Sequence, residues 1–245
     1  MRYFVKFAYN GSHFHGWQFQ PNATSVQETL NTIFSTLLQE KIDIMGAGRT
    51  DTGVHASLMF GHFDTVKTIE NELFIHKINS FLPNSIVVFD VILVHSDAHA
   101  RFDATSRTYQ YKISTFKNVF TNEFSWYSPK KLDVNAMNEA AKILLHFSDF
   151  QCFSKSNTEV NNYNCTITET FWEVKEDQII FTITANRFLR NMVRAIVGTL
   201  VNIGLHKISA SDFIKIIESK NRENAGFSVP AKGLFLTDIK YPYIK

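Results

Sequence analysis

Net charge is what this chain most lacks. Its 25 Lys+Arg and 23 Asp+Glu nearly cancel, leaving +2 at pH 7. A strongly basic domain would declare a nucleic-acid partner outright; here any such partner has to be met by a local patch. Cysteine is scarce too. Cys152 and Cys165 are too few and too separated for a zinc site or a disulfide framework, so they read as free core thiols in a reducing cytosol. No apolar run is long enough to span a bilayer, and the opening "MRYFVKFAYNG" alternates like a strand with no signal-peptide core. The expectation is a soluble, cytoplasmic protein with no membrane partner. Familiar catalytic signatures are missing as well. "GAGRTD" (46–51) lacks the third glycine of a dinucleotide fingerprint and is not followed by the Gly-Lys-Ser/Thr of a phosphate loop. There is no Gly-x-Ser-x-Gly elbow and no evident Cys–His pair.

What the chain does have is apolar mass and a repeated order of elements. Hydrophobic residues make up 44% of 245, with 23 Phe, enough for a sizeable core in one large domain or two small fused units. "RYFVKFAY" (2–9) reads as a strand. "SVQETLNTIFSTLLQE" (25–40) reads as a helix, with Ser25 and Glu28 in a capping-box pattern and Val26, Leu30, Ile33, Phe34, Leu37 and Leu38 on one face. Strands follow at 41–48 and 58–65, a helix at 70–82 stopped by Pro83, and a strand at 85–94. After a boundary near 97–105 the order recurs. It runs as a strand at 107–115, a helix at 134–147 capped by Asp133, a hairpin of 166–174 and 178–186, helices at 188–204 and 211–220, and a last strand at 233–242. The fold class expected is α+β, two tandem ferredoxin-like β-α-β-β-α-β halves, 1–100 and 101–245. A cleft between such halves is a natural ligand site.

Three stretches could carry chemistry. "GAGRTDTGVHA" (46–56) holds three glycines and a single carboxylate, Asp51, with Arg49 and His55 beside it. A turn explains Asp51 on local grounds. The glycines, which allow positive φ or close backbone approach, and the nearby arginine fit a presented, ionised carboxylate instead. Arg187, Arg190 and Arg194 at i, i+3, i+7 would share one helix face, with Phe188, Leu189, Met192, Val193, Ile196 and Leu200 opposite. That face is either solvated or the positive wall of a cleft that meets phosphates or a buried acid. "HARFDATSRTYQY" (99–111) sets Tyr109 and Tyr111 on one side of a strand beside Arg101 and Arg107. Core packing or stacking on an unpaired base would both use them. "HSDAH" (95–99) offers His95, Asp97 and His99 to a metal-dependent hydrolase reading, without an evident third partner.

Together these stretches closely resemble the tRNA pseudouridine synthase A family along the whole chain. The blocks are "YNGSHFHGWQFQPNATSVQETL" (9–30), "GAGRTDTGVHA", "HARFDATSRTYQY", "ANRFLRNMVRAIVGTL" (185–200) and "AKGLFLTDIKYP" (231–242). The resemblance implies two ferredoxin-like halves sharing a central antiparallel sheet, with the catalytic cleft between them. It implies homodimers, tRNA as partner, and no metal or coenzyme. It implies conversion of uridine to pseudouridine on the 3′ side of the anticodon stem-loop. By the same resemblance Asp51 is the nucleophile, Arg49 helps displace the target base, Tyr109 stacks on the uracil, and Arg194 pairs with the carboxylate. Arg187 and Arg190 remain as tRNA contacts from the basic face. A non-catalytic tRNA-binding or tRNA-chaperone protein on the same scaffold is the alternative. The polar, Asn-rich stretch 154–164 reads as a loop without an assigned role.

Overall fold

The computed structural model describes residues 1–156 and 162–244, so part of the Asn-rich stretch, 157–161, lies outside the described residues. The protein is a mixed α/β chain with a large, mostly antiparallel sheet. It divides into two compact units, Met1–Thr105 with Leu236–Lys245, and Ser106–Phe235. No helix among the described residues is long and apolar enough to cross a membrane.

The first unit holds β1 (Arg2–Tyr9), α1 (Val26–Leu38), β2 (Met45–Gly46), β3 (His55–Asp64), α2 (Asn71–Phe81) and β4 (Ile86–Val94). β1 lies between β3 and β4, antiparallel to both. Alternation along β1 sends Tyr3, Val5 and Phe7 toward the helices, where Phe34 of α1 meets Phe63 and Phe74 edge-on at 5.1 and 5.5 Å. Ser25 caps α1 by accepting the Glu28 N–H at 3.2 Å.

The strand expected over 41–48 shrinks to Met45–Gly46, and side chains of α1 explain why. Ser35 Oγ takes the Ile42 N–H and Asn31 Oδ1 takes the Ile44 N–H, both at 2.9 Å, while Gln27 donates to the Ile44 carbonyl at 3.0 Å. Those backbone groups are satisfied by a helix and need no strand partner.

The second unit holds β5 (Ser106–Ser114), β6 (Trp126–Tyr127), α3 (Val134–Ile143), β7 (Ile167–Lys175), β8 (Gln178–Ala185), α4 (Met192–Gly204) and α5 (Ala210–Glu218). β8 runs antiparallel to both β5 and β7, and β6, unexpected from sequence, adds a short parallel pairing on β5. Asp133 caps α3 through the Ala136 N–H, and Ser209 with Asp212 closes a capping box on α5. The last strand, β9 (Leu234–Lys240), passes from the second unit back into the first.

Asparagines on helices pin one strand in each unit. Asn79 of α2 bonds both the N–H and the C=O of Val88 in β4, at 2.8 Å each. Asn138 of α3 does the same to Trp172 in β7, at 2.7 and 2.9 Å. Each pair satisfies backbone groups that a neighbouring strand would otherwise take.

Candidate functional site

In the first unit the loop 46–56 is framed by the segment 10–17. Gly46 lies under the Trp17 indole, where a Cβ would stand 2.5 Å from Cε2. The Thr50 carbonyl accepts the Trp17 N–H at 3.3 Å, and its hydroxyl shares a hydrogen bond with Tyr9 at 2.8 Å. Gly16, at φ +90°, brings its backbone so close that a Cβ would stand 2.5 Å from the Thr50 oxygen. Gly53, at φ 77°, donates to Phe14 O at 3.4 Å, and the Val54 N–H closes the turn on the Asp51 carbonyl at 3.1 Å. Buried Thr50 thus anchors the apex, while Arg49 faces solvent and Asp51 is half-buried.

Two of the three motif glycines are needed for space or for φ. Gly48 is not, since a Cβ there would meet nothing within 4 Å. His55 is a strut: it is 1% exposed and its Nδ1 accepts the Gly11 N–H at 3.0 Å. Residues 13–15 lie in this frame, with Phe14 buried and both His13 and His15 exposed. Gly11 and Gly16 were the available signal, each pressed against loop backbone.

In the second unit the two tyrosines of β5 part company. Tyr111 is fully buried, donates its hydroxyl to Pro230 O at 2.9 Å, and has its pKa pushed up by burial. Tyr109 is half-buried with Phe188 edge-on at 5.1 Å.

The arginine face expected on a helix from 188 does not form. α4 begins at Met192, because Asn191 takes a left-handed φ of 66° and interrupts the helical course. Arg187 lies on irregular chain, with an Nη donating to Asn162 Oδ1 at 3.2 Å, and Arg190 is exposed in a turn whose carbonyl accepts the Lys155 N–H. Arg194 alone of the three is helical. α4 is buried on nearly all sides, so Arg194 is a cation on a core helix and not part of a solvated basic face. Its Nε donates to Val229 O at 2.7 Å.

A family model described as tRNA pseudouridine synthase matches residues 140–242, the stretch containing all three arginines. The tRNA pseudouridine synthase A of Bacteroides fragilis is 49% identical over 98% of this chain and 96% of its own length. That of Parabacteroides distasonis is 48% identical with the same two coverages, and that of Acetivibrio thermocellus is 39% identical over 95% and 96%. The chain belongs to the tRNA pseudouridine synthase A family. With that membership it is an enzyme, an isomerase.

The remaining candidates in this tRNA pseudouridine synthase A relative have structural work. His95 Nδ1 meets Asp97 at 2.7 Å on the surface. His99 Nδ1 accepts the N–H groups of Arg101 and Phe102 at 3.1 and 3.3 Å, so that nitrogen is occupied and unprotonated. His62 Nδ1 accepts the Ala100 N–H at 3.2 Å, and burial beside His99 and Arg2 lowers its pKa to about 4. Cys152 and Cys165 are buried thiols pushed up to about 12 and 11 by desolvation, which keeps them unreactive.

Proposed function

We propose that this enzyme converts uridine to pseudouridine on the 3′ side of the tRNA anticodon stem-loop, with Asp51 as the nucleophile. The observation that carries the reading is the framing of the Asp51 loop. Two glycines in left-handed or pressed conformations and a ring of backbone bonds hold one half-buried carboxylate on a fixed apex. Such a frame is the preorganisation a nucleophile needs and a surface turn does not.

The reaction conserves atoms. The N1–C1′ bond breaks, the uracil turns, C5 bonds to C1′, the C5 proton leaves and N1 gains one. No redox or group-carrying cofactor enters this balance. One ionised carboxylate, attacking C6 or C1′ or assisting loss of the 2′ proton, is sufficient. In this reading Arg194 pairs with the Asp51 carboxylate and aims it. Flipping the uridine costs a few kcal/mol. Stacking on Tyr109 returns about 1–3 kcal/mol, and Arg49 fills the vacated place. Arg187 and Arg190 meet backbone phosphates. The architecture in this proposal is two ferredoxin-like halves, the first with the nucleophile and the second with the stacking tyrosine, assembled as a homodimer in the cytoplasm; the bounds expected from sequence, 1–100 and 101–245, give way to Met1–Thr105 with Leu236–Lys245, and Ser106–Phe235.

Tritium release from tRNA labelled at uracil C5 tests the activity. Release without added metal is the expected result. No release from several tRNAs that nevertheless bind would favour a non-catalytic tRNA-binding protein.

A further inference from the structure

The segment 222–230 grips the helix that carries Arg194. A Cβ on Gly198 of α4 would stand 1.8 Å from the Phe227 carbonyl oxygen, so backbone lies directly on helix backbone there. Gly226 donates its N–H to Thr199 Oγ1 at 2.8 Å, and that hydroxyl donates to Ala195 O at 2.8 Å. Val229 closes the contact at both ends, its N–H on Arg194 O at 3.3 Å and its carbonyl accepting Arg194 Nε at 2.7 Å. The Val229 carbonyl therefore takes part in setting the direction of the Arg194 guanidinium.

The residues just before Val229 are tied together by a second arginine. Arg222, half-buried, donates one Nη to Gly226 O at 3.0 Å and to Ala225 O at 3.5 Å. Its other Nη donates to Ser228 Oγ at 2.9 Å. The same Ser228 oxygen accepts Asn191 Nδ2 at 2.7 Å, from the left-handed residue that starts α4. One guanidinium thus ties Ala225, Gly226 and Ser228 to each other and, through Ser228, to the N-cap residue of the Arg194 helix.

We infer that Arg222 is a positioning residue of the isomerisation: it fixes the Val229 carbonyl, and through it the orientation of Arg194. The inference rests on the reading that Arg194 holds the charge of Asp51. A guanidinium is planar and rigid, so a shift of the group that holds its Nε turns its Nη groups as well; loss of Arg222 would act on Arg194 in that way without touching substrate.

The test is Arg222→Ala in the full chain, with kcat, KM and a thermal midpoint, kcat being taken per folded molecule so that loss of fold alone leaves it in place. The expected result is a fall in kcat of about 10- to 100-fold, the range for losing a group that orients a functional side chain. KM for tRNA should change little. Arg222→Lys, which keeps the charge but not the fork, should recover only part of the rate. Should Arg222→Ala fail to fold, Ser228→Ala severs the link to Asn191 and carries the same expected fall in kcat at unchanged KM. Wild-type kcat per folded molecule, or a loss that lies in KM instead, overturns the inference. Arg194→Ala separates the layers. If it too retains wild-type kcat, the underlying reading of Arg194 has failed; if it is inactive while Arg222→Ala is not, only the positioning inference has.

Discussion

The loop 46–56 and the stretch 187–194 place their charges by opposite means. Asp51 is set by backbone: glycines accept the close approach of segment 10–17, and main-chain bonds from Trp17, Gly53 and Val54 fix the turn. Arg194 is set by its own side chain, which reaches from a buried helix to a carbonyl on another segment. A carboxylate on one short stem is placed well once its Cα is placed. An arginine has four rotatable bonds and needs a partner along its length. The lesson is that the anion should depend on the close backbone approaches at Gly11, Gly16 and Gly46, where a Cβ would clash, while the cation should depend on groups that never touch substrate.

Four substitutions probe these two placements, in order of decreasing effect. Gly16→Ala forces a Cβ against the Thr50 carbonyl at a positive φ. It is expected to cost about 1–3 kcal/mol in urea denaturation and about 100-fold in kcat. Unchanged values would mean that backbone packing does not set the Asp51 loop. Tyr111→Phe strips the donor from Pro230 O, next to the Val229 that holds Arg194. A loss of about 1–3 kcal/mol is expected, since the carbonyl is left unpaired.

Acid should weaken the frame near the anion first. His62 pairs across from Met45, where β2 leads into the Asp51 loop, and its pKa lies at about 4, below the ordinary 6.5. The folded form resists a proton that the unfolded chain accepts, so this stability is complete above pH 6.5 and is lost as pH falls toward 4. The slope approaches about 1.4 kcal/mol per pH unit for one proton. Around His62, His99 and Arg2 oppose its charging while Asp64 and Asp103 favour it; both carboxylates are depressed, so their own losses come at lower pH. Thermal midpoints of wild type and His62→Gln between pH 7 and 4 check this, the variant being expected to show the flatter curve. Smallest is Gly48→Ala, in the same motif as Asp51 but with open space for a Cβ. Stability within about 0.5 kcal/mol of wild type is expected.

Much of this was legible in the sequence, and the failures have local causes. β1, α1, α2, β4, β5 and the β7–β8 hairpin follow apolar period and caps closely, because each buries one regular face. Periodicity missed that Ser35, Asn31 and Gln27 would take the backbone of 42–44, since the pattern of a segment does not reveal who satisfies its amides. It also extended a helix through Arg187 and Arg190, because an asparagine in the left-handed region looks like any polar helix position until its φ is seen. Asp51, Arg49, Tyr109 and Arg194 were picked out by motif and resemblance. Arg222 was not, since its bonds run to carbonyls and a hydroxyl of its own segment, and no motif marks such a role.

The central claim is that one framed carboxylate does the covalent work. Asp51→Asn keeps the size of the side chain and removes its charge, so the loop should stay in place. Tritium release from C5-labelled tRNA and tRNA binding, measured on the same preparation, decide the matter. The expected result is binding retained with no release above background. Release at an appreciable fraction of the wild-type rate would contradict the assignment of Asp51 as nucleophile.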